Sequence, residues 1–217
     1  HLDEGEALGL IGPNGAGKTT AFNLIVGAYQ PTSGKVYFNG EDITGLKPNQ
    51  VCHKGIGRTF QVVKPFGNMT VEQNIMVGAF VRTSSPREAR QIAQDIMEKV
   101  GLLAKRDVLA HNLTIPERKR LEMAKALATK PRLLLLDEVL AGLNPTEIDD
   151  AVKLIKAINN DGITIMMIEH VLQATMAICS RIVVLDYGKK IAEGSPQEVT
   201  SNPEVIKAYL GDEYDNA

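Results

Sequence analysis

Residues 11–20 read IGPNGAGKTT, and within them Gly12, Gly17, Lys18 and Thr19 stand at the spacing G-x-x-x-x-G-K-[ST]. Those residue types in that order suit phosphate. Glycines let successive backbone N–H groups turn inward on an anion, and a helix beginning at the lysine adds the positive end of its dipole. Lys18 neutralises β- and γ-phosphate charge, and the Thr19 hydroxyl can ligate Mg2+. Such a site needs a second carboxylate for the metal, and RLLLLDE (132–138) supplies Asp137 at the end of an unbroken apolar run. Glu138 follows directly. Its side chain leaves the strand in a different direction from that of Asp137, which suits it to orient or deprotonate an attacking water. IMMIEH (165–170) repeats the plan, ending in Glu169 and His170, and an imidazole there can donate a hydrogen bond to a γ-phosphate. Gln61 closes RTFQ with an amide that can ligate Mg2+ or position water.

Residues so scattered act together only if the chain brings them to one edge of a sheet. EALGLIG (6–12), KVYFNG (35–40), RLLLLD (132–137), TIMMIE (164–169) and RIVVLDYG (181–188) read as strands. Three of these are almost unbroken apolar runs, as parallel strands covered on both faces should be. Helical patterns lie between them at 18–28, at 146–160 with Leu154, Ile155 and Ile158 on one side, and at 171–178. The alternation predicts an α/β layer fold, with ligands at the carboxyl ends of the strands. Residues 70–130 break it. There the pattern is helical almost throughout, with Ile92, Ile96, Val100 and Leu103 at helical spacing, and Thr83–Pro86 is the one linker-like stretch. This predicts an inserted helical subdomain. Ser195 and Asn202, each followed by proline, predict two short capped helices near the end.

Bulk properties narrow the classes. A chain of 217 residues with 44% apolar content suits one folded domain with an insertion. A net charge of −2 lacks the basic face that a sequence-independent grip on nucleic acid requires, so no nucleic-acid partner is expected. No apolar run approaches the roughly 18 residues of a membrane span. Cys52 and Cys179 show no metal-ligand spacing and read as inert thiols of a reducing compartment. No N-K-x-D base reader of a GTPase is present, nor an Arg-rich lid of a small-molecule kinase. Because the chain opens HLDEGEALGLIG, without methionine, the native product is expected to extend further N-terminally.

Taken in order, GPNGAGKTT, RTFQ, LTIPERKRLEMAKALATKPRLLLLDE, AGLNP and IEH resemble the nucleotide-binding subunit of ABC transporters over essentially the whole chain. The resemblance implies an α/β P-loop NTPase fold of the ABC type: a mainly parallel core over 1–69 and 131–194, an α-helical subdomain over 70–130, and short helices with a tail over 195–217. N-terminal edge strands of the sheet would be missing. It implies that Gly12, Pro13, Asn14, Gly15, Ala16, Gly17, Lys18, Thr19 and Thr20 form the Walker A loop around ATP, with Thr19, Gln61 and Asp137 at Mg2+. Glu138 is then the catalytic base, Gln61 the Q-loop glutamine, His170 the switch histidine and Ala141–Pro145 the D-loop. Leu113–Glu117 form the signature region, with Thr114 and Glu117 facing nucleotide.

Two such domains are implied to sandwich ATP head to tail, as a homo- or heterodimer. Transmembrane permease subunits would dock near Gln61 and the helical subdomain, and a substrate-binding protein would act indirectly. The protein would then sit peripherally on the cytoplasmic face of the inner membrane. GIGRTFQVVKPFGNMTVEQNIMVGA, AGLNP and NPEVIKAYLG look like the ATPase of branched-chain amino acid importers, and ATPases of lipopolysaccharide export share a similar body and tail. Departures stand out. LTIPE replaces the usual Leu-Ser-Gly-Gly-Gln, so Pro116 has no N–H for a γ-phosphate and Ile115 restricts close approach, which suggests a weak site needing a hetero-partner. Val139-Leu140 replaces Pro-Thr or Pro-Ala, and Asn144 replaces the D-loop aspartate. The aromatic that stacks on adenine is absent from this sequence.

Overall fold

The structure, a computed structural model, describes residues 1–210; the last residues of the expected tail, 211–217, lie outside the described residues. The chain begins with β1 (Ala7–Ile11), all five residues of which are buried, and α1 (Lys18–Ile25). A small excursion follows: β2 (Tyr37–Phe38), β3 (Glu41–Asp42), α2 (Pro48–Lys54) and β4 (Ile56–Arg58). Three helices come next: α3 (Val71–Ala79), α4 (Pro86–Lys99) and α5 (Ile115–Ala128). Then strand and helix alternate through β5 (Leu133–Asp137), α6 (Pro145–Asn160), β6 (Thr164–Ile168), α7 (Leu172–Ile178) and β7 (Arg181–Asp186). The described chain closes with β8 (Lys189–Gly194), α8 (Pro196–Thr200) and α9 (Pro203–Leu210).

The six-stranded sheet has the order β4-β5-β6-β1-β7-β8. All its pairings are parallel except β7 with β8, a hairpin turned through Tyr187 and Gly188. Leu134, Leu135, Leu136, Ile165 and Met167 are buried, which is why these strands read as unbroken apolar runs rather than alternating ones. Register aligns Asp137 with Ile168 and Ile168 with Leu10, so β5, β6 and β1 end level.

Several details differ from the sequence reading, each for a local reason. KVYFNG contributes only Tyr37–Phe38, paired antiparallel with Glu41–Asp42 outside the main sheet. A two-residue strand with Tyr37 exposed and Phe38 half-buried, turned through Asn39-Gly40, is too short to join the layered sheet. Leu103 does not continue the buried stripe of α4. That helix ends at Lys99, Gly101 takes φ +72°, and it is Leu102 that enters the core while Leu103 stays exposed. The short parallel strand β4 and the helix α2 carry too few periodic residues to announce themselves.

Helices α3, α4 and α5 pack on one another, and their buried side chains, among them Val71, Ile75, Met97 and Leu121, are continuous with the core under β5 and β6. Ile155 and Ile158 of α6 are fully buried and Leu154 packs partly against the same core. Ser195 caps α8 as expected, its Oγ accepting from the Glu198 N–H. Cys179 is buried, and burial pushes its thiol up to about 12. Among the described residues no helix is long and apolar enough to cross a membrane.

Candidate active site

The level strand ends decide what meets at the sheet's carboxyl edge. β1 runs into the glycine loop, which turns at Gly12 and again at Gly17 to start α1. Gly12 has φ +147°, and a Cβ there would stand 2.0 Å from the Leu185 carbonyl oxygen of β7, so only glycine lets the loop pass this strand. Gly17 caps α1 in a left-handed conformation, without a side-chain hydrogen bond and without an acid in the first turn. The opening N–H groups of α1 therefore keep no side-chain partner, the condition for an anion site. Lys18 is buried and folds its Nζ back to donate to the Gly12 carbonyl at 2.7 Å and the Pro13 carbonyl at 2.9 Å. Burial lowers its pKa, with Glu138 and Asp137 opposing that shift. Thr19 and Thr20 are exposed on the first turn, while Ala16 is buried and its carbonyl accepts from the Gly188 N–H at 3.0 Å.

Asp137 ends β5 only 2% exposed. Its Oδ2 accepts from Arg58 Nη2 at 2.8 Å, and its N–H donates to Thr59 Oγ1 at 3.1 Å. Arg58 in turn donates from Nη1 to Asn23 Oδ1 at 2.6 Å and lies over the rings of Phe22 and Phe60, 5.6 and 5.3 Å from their centroids. Asp137 Oδ1 is buried with no hydrogen-bond partner. A buried carboxylate oxygen left in this state fits a cation or a cation-held water, so the residues present suit Mg2+.

Glu138 joins two of the residues singled out from the sequence. Its Oε2 accepts from Gln61 Nε2 at 2.6 Å, and its Oε1 lies 3.1 Å from His170 Nε2. Three residues from three separate strand ends thus form one hydrogen-bonded cluster, next to the buried Asp137. Glu169, its neighbour in sequence to His170, points elsewhere. It is buried and accepts from the Leu140 N–H at 2.8 Å, and burial pushes its carboxyl up to about 7.

Thr114 and Glu117 make their hydrogen bonds with each other rather than with this cluster. Thr114 N–H donates to Glu117 Oε2 at 2.9 Å and Glu117 N–H to Thr114 Oγ1 at 3.4 Å, a capping box that starts α5. Glu117 also pairs with Lys105 at 3.2 Å, and the Thr114 N–H leads the interactions that lower its pKa. The departures from the family pattern have local causes: Pro116 occupies a first-turn position that needs no N–H, Asn144 caps α6 through the Glu147 N–H at 3.0 Å, and Val139 and Leu140 are buried.

Two contributors escaped the sequence reading. Arg58 sits inside RTFQ, but a lone arginine beside an apolar run carries no local sign that it will meet an aspartate 79 residues away. Tyr209 of α9 places its hydroxyl against the Gly12 backbone, and burial raises its pKa. The C-terminal helix thereby touches the glycine loop. A cavity of about 500 Å3 lies there, lined by Pro13, Asn14, Gly15, Asp186, Tyr187 and Glu204 among others. One of similar volume lies away from the loop, between an apolar floor that includes Leu8, Leu10 and Val183 and a charged rim in which Arg132 pairs with Glu4 and Arg181 with Glu193.

Residues 1–141 match the ABC transporter family profile. The chain belongs to that family. It is an ATP-binding cassette that hydrolyses ATP, and residues 189–215 further match the profile of the branched-chain amino acid ATP-binding cassette transporter. The cassette is 40% identical to the high-affinity branched-chain amino acid transport ATP-binding protein BraF of Pseudomonas aeruginosa, covering 97% of this chain and 89% of BraF. It is 37% identical to the lipopolysaccharide export system ATP-binding protein LptB of Acidithiobacillus ferridurans, over 97% of this chain and 87% of that protein. The crystal structure of a nucleotide-free ATP-binding cassette from an ABC transporter superimposes with a TM-score of 0.88 at 32% identity, over 97% of this chain and 90% of the other.

Proposed function

We propose that this cassette binds MgATP at the sheet edge and hydrolyses it to drive import of branched-chain amino acids through a membrane permease. The observation that carries the substrate assignment is the C-terminal match over residues 189–215, with BraF as a relative over nearly the whole chain. In this reading the glycine loop and the start of α1 hold the phosphates by backbone N–H groups, and Lys18 turns from its carbonyl partners toward β/γ-phosphate charge. Thr19, Gln61 and Asp137 would hold Mg2+, which when bound neutralises phosphate oxygen charge. Glu138 accepts the proton of the attacking water, held in place by Gln61 and His170. His170 also donates to the γ-phosphate, so departure of that group is felt at the same carboxylate. Substrate would touch the permease and an external binding protein, never this chain. The cassette would sit peripherally at the cytoplasmic face of the inner membrane, recruited by the permease.

A second cassette would close over the nucleotide. The capping box of α5 favours a partner with a different signature, because Thr114 already engages the Glu117 N–H, Pro116 has none, and Glu117 brings negative charge. The site built with this chain's signature would then be the weaker of two. The test is uptake of radiolabelled leucine, isoleucine and valine by cells carrying Lys18→Ala as the only copy. Loss of all three uptakes with lipopolysaccharide display intact supports the reading. Normal uptake, or loss of lipopolysaccharide display instead, contradicts it.

A further inference from the structure

The turn that presents Glu138 adopts a backbone that residues other than glycine seldom take. Glu138 has φ +50°, a left-handed conformation that is strained for a residue with a Cβ and persists only where its surroundings over-determine it. They do so from three directions. The Glu138 N–H donates to the Ile168 carbonyl of β6 at 2.9 Å. Lys119, reaching across from α5, donates from Nζ to the Glu138 carbonyl at 3.2 Å and to the Val139 carbonyl at 3.0 Å. Glu169, at the end of β6, accepts the Leu140 N–H at 2.8 Å. One ammonium and one buried carboxylate therefore fix three successive residues, while the Glu138 carboxylate itself is bonded by Gln61 and His170. A carboxylate buried as deeply as Glu169 is costly to keep, which argues that it has a task. Lys119 belongs to the same helix that Thr114 and Glu117 begin, so it is a direct tie between that helix and the turn.

We propose that Lys119 and Glu169 are positioning residues for Glu138: they clamp the strained turn that aims its carboxylate, and Lys119 makes that aim depend on where α5 lies against the sheet. The proposal rests on Glu138 acting as the base. A shift of α5 by an ångström would lengthen or break the two Lys119 bonds, and so what happens at the start of α5 reaches the base within one chain. Such a shift in a reacting group is worth up to about 100-fold in rate.

Steady-state hydrolysis and amide hydrogen exchange on the purified chain test this. Lys119→Met keeps the aliphatic stem and removes the donors. Its kcat should fall about ten-fold with KM for ATP nearly unchanged, because phosphate binding is untouched. The Val139–Leu140 amides should exchange faster. Lys119→Arg, which retains donors, should recover most of the rate, and Glu169→Leu should show the same kcat-only loss from the other flank, so the test survives if one variant fails to fold. In a Glu138→Gln background Lys119→Met should add nothing, since an effect transmitted through Glu138 vanishes with it. Wild-type kcat and exchange in Lys119→Met beside an inactive Glu138→Gln would overturn the clamp alone. Wild-type turnover in Glu138→Gln would overturn the base reading and the clamp with it.

Discussion

Helices α1 and α5 are the two whose first turns are proposed to face nucleotide, and they begin in opposite ways. α1 opens on Gly17, which has no side chain to cap it and no acid in the following turn, at an edge that also carries buried Lys18 and Asp137. α5 opens closed on itself, with Thr114 and Glu117 taking each other's N–H groups, a proline where a donor would stand, and Ile115 61% exposed. Capping stabilises a helix by about 1 kcal/mol, and the two starts show what forgoing or keeping it does. An uncapped start leaves donors for an anion; a capped one stabilises the helix and leaves little to offer. The first is left open to an anion, whereas the second is closed on its own helix.

The sheet edge is where a single substitution has the largest effect. Arg58→Met should destabilise the nucleotide-free protein by about 3–5 kcal/mol, because it leaves Asp137 as an unpaired buried charge; denaturant unfolding without nucleotide is the measurement. Glu169 contributes next. Burial raises its carboxyl from the ordinary 4.5 to about 7, so the folded state favours the protonated form. The contribution is complete below the unfolded pKa of 4.5, declines as pH rises, and is lost above about 7. Its full size is roughly 3 kcal/mol, and the difference in unfolding free energy between the wild type and Glu169→Gln, followed from pH 4 to 8, should trace that decline.

Lys18→Ala should weaken MgATP binding by about 100-fold, the worth of a charge-assisted contact to phosphate, as read by titration calorimetry. The smallest effect belongs to α5. Replacing Ile115-Pro116 with Gly-Gly restores a donor at its start and should raise ATP-dependent dimerisation or turnover only a few-fold, about 1 kcal/mol, because Glu117 still carries its charge; analytical ultracentrifugation checks it.

The site was more legible in the sequence than the scaffold around it. Gly12, Lys18, Asp137, Glu138 and His170 each end or follow a buried apolar strand, and a parallel sheet brings such ends to one edge, so spacing alone located them. Gln61 stood out by its place in RTFQ as an amide for Mg2+ or water, and its hydrogen bond to Glu138 is a contact that the sequence did not announce. What escaped was long-range or short: Arg58 meets Asp137 through the pairing of β4 with β5, and β4 has three residues. Lys119 looks like any lysine of an amphipathic helix until the turn at 138–140 is packed beside it. The hairpin strand β8 is half exposed, reads KKIAEG, and offers no apolar run.

The Glu138→Gln chain, with MgATP affinity and hydrolysis rate measured side by side, separates nucleotide binding from activation of water. If the sheet edge holds nucleotide through the loop and α1 while Glu138 serves only the water, affinity should stay within a few-fold and hydrolysis should fall by about 100-fold or more. Retained hydrolysis, or affinity lost together with it, would contradict the account.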